Sequence, residues 1–228
     1  MLKLSGRISQ TNKVADGVYS VSSQSDLPKV LAQKKAYILK GNINKDINNF
    51  SFFIITESNK KLIQLIEENK KYILVSDDFN YIDNQDIIRI TNDGSRFGTI
   101  FRASSHHNSF LVTEQCNHYC LMCSQPPKKI DDSYLIEEIA KAIPLIPKDT
   151  EEIGFTGGEP TLFGDRFIHL LELTKNYLPN TAVHILSNGR KFIEHDFVSS
   201  YARINHHDMM IGIPLYSDDP QLHDYIVQ

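Results

Sequence analysis

Outside residues 116–123 this sequence of 228 residues contains no cysteine. Its three, Cys116, Cys120 and Cys123, all fall inside that one stretch. An odd count, so confined, argues against a disulfide framework and for three thiolates wanted in one place. A long apolar run is missing too. The longest, such as Met209 to Leu215, fall far short of the roughly 18 residues a membrane-spanning helix needs. Met1-Leu2-Lys3 leads into the polar Ser5 to Gln10 with no apolar core, so no secretory leader is expected and the protein is placed in the cytoplasm. Nor is there an excess of positive charge. With 24 Lys+Arg against 28 Asp+Glu and a formal charge of -4, no basic field recruits nucleic acid or an anionic membrane. What remains is ordinary for a globular protein, 41% hydrophobic and 23% charged, and long enough to bury a core unaided.

At about 150 residues per domain the length predicts roughly one and a half domains. Residues 1–105 are rich in Lys, Asn and Asp and carry short apolar runs between polar turns. Ala36 to Leu39, Ser51 to Ile55 and Tyr72 to Val75 are expected as strands from their β-branched and aromatic residues. Leu62, Ile63, Leu65 and Ile66 give Lys60 to Asn69 a helical spacing. Ile87 to Ile90, the turn signal Asn92-Asp93-Gly94 and Gly98 to Phe101 predict a hairpin. No catalytic constellation stands out in this half, which is expected to be a small α+β accessory domain.

From residue 106 onward the pattern becomes strand, loop, helix, repeated. Ser109 to Thr113, Glu152 to Thr156, Ala182 to Leu186 and Met209 to Leu215 are expected as strands. Helices are expected after Asp132 or Ser133, either of which can cap, from Asp165 to Tyr177, and from Ile193 to Tyr201. Apolar strands joined by helical crossovers suit a parallel sheet buried on both faces, the first half of an α/β barrel. Pro220 to Gln228 reads as the opening of a fourth helix. Four strands alone leave an open edge and one uncovered side, so a barrel broken off after about four strands is expected.

Cys116-x3-Cys120-x2-Cys123 follows the first of these strands, at the rim where barrel enzymes place chemistry. Three thiolates on a short loop suit a compact metal centre, and the spacing alone leaves two open. His106, His107 or His118 can complete a Cys3His zinc site, or three thiolates can hold an iron–sulfur cube with one iron left open. Gly157-Gly158-Glu159 ends the second strand at the same rim. Paired glycines permit close backbone approach to a ligand, and a carboxylate beside them can accept from an ammonium group. Ser187-Asn188-Gly189 ends the third strand and adds small polar groups.

Together these three strand-end motifs resemble the radical S-adenosylmethionine (radical SAM) superfamily. Residues 107–128, above all Cys123-Ser124-Gln125-Pro126-Pro127, further resemble the C-type member of the His-Xaa-Ser system radical SAM maturases. Gly-Gly-Glu-Pro-Thr from Gly157 and Leu-Ser-Asn-Gly-Arg from Leu186 agree with it. The resemblance implies a partial barrel of radical SAM type over 106–228. It implies a [4Fe–4S] cluster on Cys116, Cys120 and Cys123, whose open iron takes the amino and carboxylate groups of S-adenosylmethionine. Reductive cleavage of that cofactor would yield a radical able to abstract hydrogen, while the protein binds, orients and excludes water. Gly157, Gly158 and Glu159 would hold the methionine amino end, Ser187 and Asn188 would lie along the cofactor, and Met122 would lie beside the adenine. Pro214 stands where many relatives carry a small hydroxyl residue.

The implied substrate is a peptide or protein with His-Xaa-Ser repeats. The implied partners are a companion radical SAM maturase and a reductant, with neither nucleic acid nor membrane. The alternatives are a radical SAM enzyme acting on a small molecule or tRNA, and a catalytically incomplete fragment that binds a cluster or zinc.

Overall fold

Phe52, Phe53, Ile54 and Ile55 are all buried, which a strand achieves only when both its faces are covered. The computed structural model, which describes residues 2–12, 14–41, 47, 49–66, 68–91 and 93–228, shows what covers them. Its two compact units are Met1–Ser105 with Leu145–Pro147, and His106–Pro144 with Lys148–Gln228.

In the first unit β1 (Ser5–Thr11), β2 (Gly17–Ser22), β3 (Lys35–Ile38), β4 (Phe52–Thr56), β5 (Tyr72–Val75), β6 (Ile87–Ile90) and β7 (Arg96–Phe101) close into a barrel. The order is β1-β5-β4-β3-β2-β6-β7, and β7 returns to pair with β1. Side chains alternate along each strand. Phe52 and Ile54 join Ala36, Ile73, Val75, Ile88 and Phe97 in the interior cluster. Phe53, Ile55 and Leu74 join a second cluster, which Leu62 and Ala32 cover.

The α+β expectation for this half is therefore corrected to a β barrel. Among its described residues the one α-helix is the four-residue α1 (Lys29–Ala32). The polar stretches at β1 and β2, which lack strand-like apolar runs, become strands because barrel closure pairs them with β5, β6 and β7. The helix expected over Lys60–Asn69 is a 3-10 segment, Glu57–Leu65; Glu67 lies outside the described residues. Side chains occupy the backbone at its start, where Asp77 Oδ1 accepts the Ser58 N–H, competing with regular helix. β6 and β7 do pair as a hairpin, Ile90 opposite Phe97. Of its turn signal, Asn92 lies outside the described residues, while Gly94 sits at φ +66°, a left-handed conformation that glycine adopts freely.

The second unit holds β8 (Asn108–Leu111), β9 (Glu152–Thr156), β10 (Ala182–Leu186) and β11 (Met209–Gly212) in one parallel sheet, adjacent in chain order. Helices α2 (Tyr134–Ala142), α3 (Asp165–Tyr177) and α4 (His195–Ile204) connect them, with α3 packed against both α2 and α4. The sheet is buried on one face only. Phe110, Ile153, Phe155, Val183 and Ile185 are buried, with Phe155 edge-on to Phe167 of α3 at 6.0 Å. The opposite face leaves Leu186 59% and Met210 54% exposed. Burial on both faces is thus corrected: the neighbouring side-chain positions alternate between a covered and an open side.

Several boundaries also move: β8 spans Asn108–Leu111 rather than Ser109 to Thr113, and α4 runs on to Ile204. α4 begins at His195, after a 3-10 turn at Arg190–Ile193, rather than at Ile193. β11 ends at Gly212, ahead of Pro214, which has no N–H to give a ladder. α5 (Pro220–Val227) starts at Asp219, whose carboxylate accepts the N–H groups of Gln221 and Leu222.

Candidate functional site

Asp132 does not cap α2. Its side chain is buried and turns back to the loop that leaves β8. There it accepts the Thr113 hydroxyl at 2.9 and 3.1 Å, the Glu114 N–H at 2.5 Å and the Gln115 side-chain amide at 3.0 Å. The Thr113 oxygen in turn accepts the Gln115 N–H at 3.0 Å. Ser133, the other cap candidate, makes no side-chain cap bond either. An ionised carboxylate is the only side-chain acceptor with capacity for so many donors on one turn. Burial pushes the Asp132 carboxyl upward, but the hydrogen bonds from Gln115, Glu114 and Thr113 outweigh it and hold it below the ordinary value.

The glycine pair is packed against that same loop. Gly158 donates its N–H to the Thr113 carbonyl at 2.7 Å, and Glu159 donates to the Gln115 carbonyl at 2.8 Å. A Cβ on Gly157 would lie 2.3 Å from the Thr113 oxygen, and one on Gly158 would lie 2.0 Å from the Gln115 oxygen. Both contacts are with backbone, so neither can be relieved by a rotamer change. Glycines expected to approach a ligand closely here approach the chain just before Cys116.

Glu159 is likewise buried. Its Oε1 accepts from the Thr161 N–H (3.0 Å), the Thr161 hydroxyl (2.6 Å) and the Ser187 hydroxyl (2.9 Å), while Oε2 accepts the Asn188 N–H at 2.6 Å. The carboxylate expected to meet an ammonium group therefore spends these contacts joining the loop after β9 to the loop after β10. Asn188 closes the circuit. Its side-chain amide donates to Asn117 Oδ1 at 2.7 Å and reaches Cys116 Sγ at 3.9 Å.

The loops so tied surround a cavity of about 520 Å³, within the range of cofactor sites. Cys116, Cys120 and Cys123 line it, facing Gly157, Gly158, Ser187 and Asn188, with Pro214 and Tyr216 after β11. Glu159 and Met122 are not among its lining residues. Met122 is 51% exposed, on the turn closed by the Cys123 N–H on the Cys120 carbonyl at 3.0 Å.

Burial first, then the neighbouring Cys116 and Cys123, raise the Cys120 thiol above its ordinary value. His118 also lines the cavity. Burial, with Arg190, lowers its imidazole, which favours the neutral ring. His106 and His107 lie beside Glu151 and Glu152 at the start of the sheet and do not line the cavity, so they are not placed to complete a zinc site there. Among the described residues no three His, Cys, Asp or Glu side chains are already gathered as a metal shell. The thiols share one wall without being drawn together.

Sequence reasoning missed Asp132 as a site residue. The signal available was a carboxylate nine residues beyond the last cysteine, which reads equally well as a helix cap.

A parallel sheet with helices on one face, carrying three cysteines and two small-residue loops at the carboxyl ends of its strands, defines an α/β protein with a thiol-lined cavity at the rim of its sheet. The family model described as the radical SAM superfamily matches residues 110–227, just over half the chain, and the chain belongs to that superfamily. No curated protein matches it. Superfamily members typically use a [4Fe–4S] cluster and S-adenosylmethionine, and the residues present fit both groups. The donor set is three thiols, the soft ligands such clusters take, and they open on the same cavity as backbone-lined glycines.

Among the described residues no helix is long and apolar enough to cross a membrane.

Proposed function

We propose that this protein is a cytoplasmic radical SAM maturase that modifies a peptide or protein carrying His-Xaa-Ser repeats, working beside a companion radical SAM maturase and a reductant. Its C-terminal unit is read as the first part of a radical SAM partial barrel, and its N-terminal barrel as an accessory domain. The observation that carries the reading is the single cavity shared by Cys116, Cys120, Cys123, Gly157, Gly158, Ser187 and Asn188, together with the run Cys123 to Pro127 that resembles the maturases.

Cys116, Cys120 and Cys123 would hold the cluster. When bound and reduced, it supplies the electron that cleaves S-adenosylmethionine and starts hydrogen abstraction. The protein's own residues do the rest. Gly157 and Gly158 bring backbone to the cavity wall, Ser187 and Asn188 present polar groups along it, and Ile213 and Pro214 give it an apolar side. Glu159 acts from behind the wall by holding Ser187 and Asn188, and Met122 would lie beside the adenine.

The test is an anaerobic incubation of the reconstituted protein with S-adenosylmethionine, a reductant and a synthetic peptide containing several His-Xaa-Ser triplets, with and without the companion maturase. The proposal predicts 5′-deoxyadenosine and a mass change confined to that peptide. Production of 5′-deoxyadenosine with tRNA or a small molecule as the only modified substrate would overturn the substrate assignment. A zinc-loaded protein without visible charge-transfer absorption would overturn the enzyme itself.

A further inference from the structure

The cysteines sit on a loop whose two ends are fastened to each other. Chain leaving β8 passes Thr113, Glu114 and Gln115, runs through Cys116 to Cys123, and comes back at Lys128 and Asp132. The Lys128 N–H donates to the Glu114 carbonyl at 3.0 Å, and the Lys128 ammonium meets the Glu114 carboxylate at 2.5 Å. Lys128 and Glu114 are both partly exposed, so that ion pair contributes little. Asp132 is different. It is 1% exposed and gathers a hydroxyl, a backbone amide and a side-chain amide from three consecutive residues. Charge-assisted bonds of this kind, out of water, are the strong ones.

We propose that Asp132 is the positioning residue of the cluster-binding loop: it fixes the backbone from Thr113 to Gln115, and so the direction in which Cys116 enters the cavity. This rests on the reading of the cysteines as cluster ligands, but its first consequence concerns the loop alone. Two of these residues, Thr113 and Gln115, receive the N–H groups of Gly158 and Glu159, so Asp132 also holds in place the backbone against which the loop after β9 packs. Groups that orient a metal ligand from behind are worth about tenfold to a hundredfold in metal retention.

Asp132→Asn keeps the side-chain volume and one acceptor but turns an amide toward the Glu114 N–H. Thr113→Val removes the hydroxyl donor, and Thr113→Ser restores it. Phe167→Leu, in the core under β9, serves as a variant that lowers melting temperature without touching the loop. Two readings are taken on the full chain. The first is hydrogen exchange over residues 114–123 without added iron. Asp132→Asn is expected to speed it roughly tenfold, Thr113→Val by less, and Thr113→Ser and Phe167→Leu hardly at all. The second is the rate at which a chelator strips iron from the anaerobically loaded protein, expected to rise about tenfold in Asp132→Asn.

Unchanged exchange in both Asp132→Asn and Thr113→Val, or an equal rise in Phe167→Leu, would overturn the proposal. If the parent protein takes up no iron, the cluster reading fails, and the exchange measurement still decides the role of Asp132. Should Asp132→Asn not fold, the Thr113 pair carries the same comparison.

Discussion

Glu159 accepts the Ser187 hydroxyl at 2.9 Å with both residues buried, so the loops after β9 and β10 meet through a carboxylate rather than through apolar packing. Removing that acceptor strands several donors at once. Glu159→Ala should cost about 3 kcal/mol in denaturant unfolding, and Ser187→Ala about 1 kcal/mol, since unsatisfied buried groups cost more than a lost bond between satisfied ones. The double variant should fall short of the sum by about 1 kcal/mol, the coupling expected for residues in direct contact. Strict additivity would show that the contact is not formed.

Glycine replacement separates packing from backbone conformation. Gly158→Ala places a Cβ 2.0 Å from the Gln115 oxygen, and relief requires moving the loop before Cys116. A loss of at least about 3 kcal/mol is expected, at the upper end of overpacking costs. Gly94 lies at φ +66° with open space around its Cβ position, so Gly94→Ala should cost only about 1 kcal/mol. Chemical denaturation of the two variants checks the order; equal losses would contradict the packing described.

Acid should loosen the site before neutral pH does. Asp132 has a folded-state pKa below its ordinary value. A depressed carboxyl contributes stability that is full above the unfolded value of about 4 and is lost as pH falls through the folded one. Unfolding followed from pH 7 downward should show a loss below about pH 4 that is smaller in Asp132→Asn. In the other unit Asp93, held to about 2 by the Ser95 hydroxyl and N–H and the Thr91 hydroxyl, should titrate near that value by carboxyl NMR. An ordinary titration of Asp93 would show that the turn between β6 and β7 is not ordered as described.

Core residues of the first barrel should answer to which cluster they occupy. Ile54 is completely buried in the interior, and Ile54→Ala should lose about 2–5 kcal/mol. Leu65 is 55% exposed on the 3-10 segment, and Leu65→Ala should change stability by less than about 0.5 kcal/mol. Comparable losses at both sites would contradict the exposure of Leu65.

The C-terminal unit was largely legible in the sequence because its signals are local. β9, β10 and α3 have the bounds their periodicity predicts, and the three cysteines declare themselves by clustering. The N-terminal barrel was not legible, because its closure lies in pairings between distant strands. Ser5–Thr11 shows only Gly6 buried, and Gly6 is small because the Phe79 ring would lie 2.8 Å from a Cβ there. No pattern within seven residues announces that. The roles of Asp132 and Glu159 were hidden for the same reason. A carboxylate next to a helix or a glycine pair reads as a cap or a ligand until the donors around it are seen, and Thr113, Glu114, Gln115, Ser187 and Asn188 lie far along the chain from the carboxylates they meet.

Iron content after anaerobic reconstitution with iron and sulfide, compared between the parent protein and Cys120→Ala, tests the central claim most directly. Three thiolates on one loop holding a cube predict roughly four iron per chain in the parent and a large loss in the variant. Little or no iron in the parent, or the same iron content in Cys120→Ala, would contradict a cluster held by Cys116, Cys120 and Cys123.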